Sequence, residues 1–138
     1  MTKRDGSEKM AESSDGLSPA DNTTPGKRVF DLEERTARFG EAVIGFCKKL
    51  PQNPITIPLI GQLVKSATSV GANYCEADDA VSKKEFRLKI GTCKKEARES
   101  KHWLRMIATA EESVRDAARP LWVEAKELHL IFAKIYRS

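Results

Sequence analysis

The sequence predicts an all-α protein, an antiparallel up-down-up-down four-helix bundle with a disordered N-terminal tail, and three observations predict it. Apolar residues recur at alternating spacings of three and four in four successive stretches, the period of helices packed along a seam. The stretches are joined by short segments, the first marked by Pro51 and Pro54 and the last ending at Pro120, and short connections make sequential helices antiparallel neighbours. The first 27 residues are different: they are rich in Ser, Thr, Asp, Gly and Pro and almost free of large apolar groups, so they cannot bury enough surface to repay ordering. The organisation expected is a disordered tail over 1–27 and a bundle domain over 28–138. A chain of 138 residues with 40% apolar content is one domain with enough material for a core.

In the first helix Leu32, Thr36, Phe39, Val43, Phe46 and Leu50 form the seam. Asp31 is placed to cap its N-terminus, with Glu34 three residues later to complete a capping box. The Asn53-Pro54 step favours an extended connection, and the second helix is expected from about Pro58 to Ala77, with the proline tolerated in the first turn.

That second helix carries two stripes. Ile60, Leu63, Ala67, Val70, Tyr74 and Ala77 are apolar, and beside them run Gln62, Ser66, Ser69, Asn73 and Glu76 at the same spacing. Small polar side chains along the edge of a packing face let a neighbouring backbone come close, so this helix is expected to pack on more than one side. Asn73 and Glu76, one turn apart, are read as structural groups bonded to a neighbouring helix.

The third helix, from about Ser82 to Ala110, has its seam at Phe86, Ile90, Cys93, Ala97, Ser100, Leu104 and Ile107. A basic band flanks that seam: Arg87, Lys94, Arg98, Lys101 and Arg105 follow one another at seven, four, three and four residues, with Glu96 and Glu99 on the opposite flank. Such a band follows a phosphate backbone, or it pairs with acidic groups of neighbouring helices or subunits, as flanking charges do in coiled coils. The fourth helix is expected to start near Pro120 and to bury Leu121, Ala125, Leu128, Phe132 and Ile135. Trp103 and Trp122 beside these seams are read as core or interface anchors, with stacking on bases the alternative.

Two segments resemble a known family. Gln62, Leu63, Lys65, Ser66, Ala67, Ser69, Val70, Ala72, Asn73, Glu76 and Ala77, followed by KEARESKHWL over Lys95 to Leu104 and preceded by the Leu50-Pro51 step, are similar to the bacterial four-helix-bundle family of 23S rRNA intervening-sequence proteins. The similarity spans roughly Val29 to Tyr136. Lys65 stands where the family usually has Arg, and His102 where Tyr is common; a Lys cannot make the bidentate contacts of an Arg. The resemblance implies a homopentamer closed through a ring-like interface. It also implies association with RNA or DNA, as for members encoded within insertions of large-subunit rRNA genes and for accessory subunits of diversity-generating reverse transcriptases.

Other functions find no support in the residues. A di-iron bundle needs two inward Glu-x-x-His pairs; one such pair exists, Glu99 and His102, and it lies off the seam. His129 is isolated between Leu128 and Leu130, and neither a Ser-His-Asp arrangement nor a glycine-rich phosphate loop can be assembled. Cys47, Cys75 and Cys93 are odd in number with no CxxC pair, and read as reduced, buried small hydrophobes of a cytoplasmic protein. No apolar run reaches the length of a membrane span.

The net charge is +4. The tail has four basic and five acidic residues, a balance of −1, which leaves +5 on the bundle. The expectation is therefore a non-enzymatic oligomer without metal, cofactor or small-molecule substrate, associated with RNA or DNA. The alternative is a scaffold or protein-interaction module whose charges hold an oligomer together.

Overall fold

The computed structural model describes residues 31–138; the expected disordered tail lies outside them. Four helices follow in order: α1 (Leu32–Lys48), α2 (Thr56–Asp78), α3 (Lys83–Ala110) and, after a single 3₁₀ turn at Glu112–Val114, α4 (Arg115–Arg137). Their direction is read from side-chain pairs. Between α2 and α3, Glu76 meets Lys89, the Cys93 thiol meets the Val70 carbonyl, and Ser66 meets Ser100. The partner's number rises as the first falls, which is an antiparallel register. Between α3 and α4 the same holds for Arg87 with Tyr136, Lys94 with His129, and Lys101 with Trp122. Gly40 and Gly71 put α1 against α2 in the same sense, beside Ala67–Thr68 and Thr36 respectively. The fold is an up-down-up-down bundle, and Arg35 joins α1 to α4 through Glu124 and Glu127.

The predicted seams supply the core. Phe39 and Val43 of α1, Leu63, Ala67 and Val70 of α2, Ile90, Ala97, Leu104 and Ile107 of α3, and Ala125, Leu128 and Phe132 of α4 are all buried. Each large one contributes about 1.5–3 kcal/mol by leaving water. Close packing needs small groups at one crossing: a Cβ on Gly71 would lie 3.2 Å from the Thr36 hydroxyl oxygen, so α1 and α2 approach there as they do because the position has no side chain.

Several expectations are corrected. The second helix begins at Thr56, ahead of Pro58, because the Asn53 side-chain oxygen accepts the N–H groups of Ile55 and Thr56 at 2.9 and 3.0 Å and turns the chain directly into the helix. The fourth begins at Arg115, so Pro120 lies inside it and removes one backbone bond instead of starting the helix. At the N-terminus of α3, Phe86 is 38% exposed, since the helix there runs past the end of its neighbours' seams. In α1 it is Cys47 that is buried and Phe46 half-buried, and Cys75 is exposed where all three cysteines were expected inside. The three are free thiols. Burial pushes the Cys47 thiol up to about 11 and the Cys93 thiol up to about 12. Among the described residues, no helix is long and apolar enough to cross a membrane.

Candidate nucleic-acid interface

The five residues of the basic band lie together along the edge of α3 that faces α4, and they meet a second stripe there. On α4, Arg115, Arg119, Trp122, Lys126, His129, Ala133 and Tyr136 recur at alternating spacings of four and three, so they share one face of that helix. The antiparallel register sets the two stripes edge to edge, and the α3–α4 groove between them holds two separate hollows.

At one end, the Arg87 guanidinium lies 4.2 Å over the Tyr136 ring and donates through Nε to the Tyr136 carbonyl at 3.1 Å. The Lys94 ammonium lies 4.9 Å from the same ring. Such cation–π contacts hold each cation in place without neutralising it. The ring can sit there because Gly91 has no side chain: a Cβ would stand 3.0 Å from Tyr136 Cε1. Beside that ring, the groove opens to about 560 Å³ between Lys94, Lys95, Arg98, His129 and Tyr136. The His129 Nδ1 lies 3.1 Å from the Lys94 carbonyl; a carbonyl can only accept, so Nδ1 carries the proton. Further along, Lys101 and Lys126 lie 5.3 and 5.7 Å from the Trp122 ring, followed by Arg105, Arg115 and Arg119.

Among the described residues, none of these cations is held by a carboxylate. The ion pairs lie elsewhere: Arg35 with Glu124 and Glu127, Arg38 with Glu34, and Lys89 with Glu76. The Glu124 carboxylate takes two bonds from Arg35, at 2.7 and 2.8 Å, which turns this acid of α4 away from the groove toward α1. The acidic flank of α3 points to the other side as well. Glu96 is half-buried, and its carboxyl is pushed up by loss of water and by Glu99, against the pull of Lys95 and of Lys65 on α2.

The small polar stripe of α2 does not belong to this groove. Ser66 is buried and its hydroxyl meets that of Ser100 at 2.9 Å across the α2–α3 contact. Glu76 crosses to Lys89 of α3 at 2.6 Å. Asn73 is half-buried and donates to the Ser69 carbonyl of its own helix at 2.9 Å, whereas a bond to a neighbouring helix was expected. Gln62 is exposed. Glu99 and His102 are both exposed, with His102 edge-on to Trp103 at 4.9 Å. Among the described residues no three His, Cys, Asp or Glu side chains are grouped to hold a metal ion.

The α4 half of the groove was not among the sequence expectations. Its signal was present in the four-three spacing from Arg115 to Tyr136, but a helix start near Pro120 leaves out Arg115 and Arg119, and the pairing of the other five with the α3 band depends on the register between the two helices.

An all-α bundle with a basic α3–α4 groove that no carboxylate neutralises among the described residues is the class that fold and site define. The chain belongs to the 23S rRNA-intervening sequence protein family, whose family model matches residues 30–133. Four chains of solved structures match. One is a crystal structure of a protein with unknown function from the S23 ribosomal protein family of Bacteroides thetaiotaomicron VPI-5482. It has a TM-score of 0.72 at 23% identity, covering 80% of this chain and 99% of that one, a likeness of fold. No curated protein matches the chain.

Proposed function

We propose that the protein is a non-enzymatic, nucleic-acid-associated homo-oligomer, a pentameric ring, that binds the phosphate backbone of RNA or DNA along the α3–α4 groove. The observation that carries this reading is that Arg87, Lys94, Arg98, Lys101 and Arg105 have no carboxylate partner among the described residues, while α4 adds Arg115, Arg119 and Lys126 to the same groove. Unpaired cations held on aromatic rings are ready to exchange counterions for phosphates. Family membership and the resemblance described above support the same class of partner.

Exposed Ile44, Phe86, Leu88, Val123 and Leu130 supply apolar surface for self-association, and a ring would repeat the groove around its axis and multiply a weak contact. The residues of the band carry little that reads base edges, so sequence preference is weak. A scaffold without nucleic acid accounts for the apolar surface but leaves the cations unused unless acids of another subunit cover them.

The test is charge reversal. In an Arg98→Glu, Lys101→Glu variant that retains helical content and mass, binding to RNA and DNA should disappear. Binding retained by the assembled variant overturns the role of the band, and dissociation of the oligomer in that variant favours the scaffold.

A further inference from the structure

We propose that the cleft around Trp122, at the end of the groove where α3 meets the turn into α4, takes one unstacked nucleotide of a single strand, with its base against Trp122 and its phosphate on Arg105, Arg115 and Arg119. This rests on the reading of the groove above and adds a preference that the groove alone does not imply.

The cleft holds about 250 Å³, slightly below the roughly 300–1,000 Å³ of drug-sized sites, which suits a single base. Its hollow exists because both helices carry small residues there. Ala108 of α3 and Ala118 of α4 are buried beside Leu104 and form an apolar floor. Trp122 walls it, half-buried, and three guanidiniums surround the mouth. Arg105 and Arg119 are exposed, and Arg115 reaches across to the Ala108 carbonyl at 3.4 Å. The acids of the adjoining turn, Glu111, Glu112 and Asp116, pair with none of the three.

An acidic peptide would use the guanidiniums and leave the apolar floor and the indole idle. An apolar ligand would do the reverse. A nucleotide uses both, through base stacking and through the planar forks that match phosphate oxygens. A base paired within a duplex is stacked on both faces and cannot enter; a single strand, loop or frayed end presents it freely. From Trp122 to Tyr136 is 14 residues of α4, or about 21 Å at about 1.5 Å per residue. About six nucleotides at the ~3.4 Å axial spacing of one strand would fill that length.

The test compares a labelled 12-nucleotide oligo-U with a blunt 12-base-pair RNA duplex at low salt, using the full chain. The wild type should bind the single strand about tenfold more tightly. Trp122→Leu and Arg119→Gln should each erase that preference by weakening the single strand far more than the duplex, which loses only the groove contact of Arg119 in the second variant, while Trp122→Phe retains it. Arg119 is exposed, so its variant answers the question even where the tryptophan variant fails to fold. AMP should displace the single strand at concentrations where inorganic phosphate does not. Equal binding of the two RNAs by the wild type, or a preference untouched by Arg119→Gln and Trp122→Leu, overturns the proposal, as does displacement by phosphate as effective as by AMP. In each of those cases the groove reading survives if Arg98→Glu, Lys101→Glu lowers binding to both RNAs, and fails separately if it lowers neither.

Discussion

At the scale of single residues, spacing told which side chains go inside but not how each polar group is satisfied. Ser66 and Ser100 were each assignable to a face, yet their 2.9 Å contact depends on the register between two helices, which no single-helix pattern contains. The same is true of Cys75. It lies next to the seam residue Tyr74, and one position, a rotation of about 100° on a helix, separates a half-buried group from an exposed one. The difference has a chemical consequence. Burial keeps Cys47 and Cys93 protonated up to about 11 and about 12, and Cys75 is exposed. A thiolate-specific reagent at pH 8 should therefore label one thiol per chain rapidly and all three after unfolding. Rapid labelling of two or three in the native state would contradict the packing of α1 and α3.

Glu96 gives a second residue-scale prediction. Its carboxyl is raised in the folded chain, first by desolvation and then by Glu99. The folded state thus binds a proton that the unfolded state has released, and this group's contribution falls as pH rises from the ordinary carboxylate range through the raised value. Glu96→Gln removes that loss. The variant should melt higher than wild type at pH 7, with the difference closing as pH falls toward 4; a lower melting temperature at pH 7 would show that the carboxylate is stabilised by its lysines instead.

At the scale of elements, four helices and their seams were legible because a bundle repeats one simple period. Helix starts were less so. Asn53 and Pro120 can each be read as punctuation in two ways, and the competing signals were resolved by local hydrogen bonding at Asn53 and by tertiary packing of Ala118 on α3. Pro120 sits inside α4, exposed, where Asp116 would otherwise accept its N–H. Replacing it by Ala restores a backbone bond and relieves the ring's crowding of the preceding turn, at the expense of a freer unfolded chain. The balance should stabilise the protein by about 1–2 kcal/mol, seen as a higher melting temperature at fixed concentration. A lower one would mean that the first turn of α4 is not helical in solution.

The groove itself is a property of paired elements. Its α3 half was visible as the band from Arg87 to Arg105; in its α4 half a misplaced helix start hid Arg115 and Arg119, and the remaining residues join the band only through the register between the two helices. The turning away of Glu124 toward Arg35 is set by α1, far away in sequence, and no local pattern announces it.

At the scale of the whole molecule, the chain has more packable surface than one bundle consumes. Ile44, Val123 and Leu130 are exposed on α1 and α4, on helix faces away from their seams. Light scattering across micromolar concentrations should return a multiple of the 15.4 kDa chain mass, with five copies expected; a monomer mass throughout would remove the ring and the avidity that depends on it.

The modest net charge of +4 conceals a one-sided distribution, because acids such as Glu124 and Glu127 are engaged by Arg35 and Glu96 lies on the far flank of α3. The groove is the consequence, and counterion release is the thermodynamic signature expected of the proposed phosphate binding. The most direct measurement is the affinity for a single-stranded RNA as a function of salt. With the five band residues and Arg115, Arg119 and Lys126 of α4 each meeting one phosphate, log K should fall linearly with log[salt] at a slope of about −5.6 per bound groove. Removing two cations as Arg98→Gln, Lys101→Gln should bring it to about −4. A slope near zero, or one that the double variant leaves unchanged in a fully helical protein of wild-type mass, would contradict the assignment of the α3–α4 groove as the nucleic-acid surface.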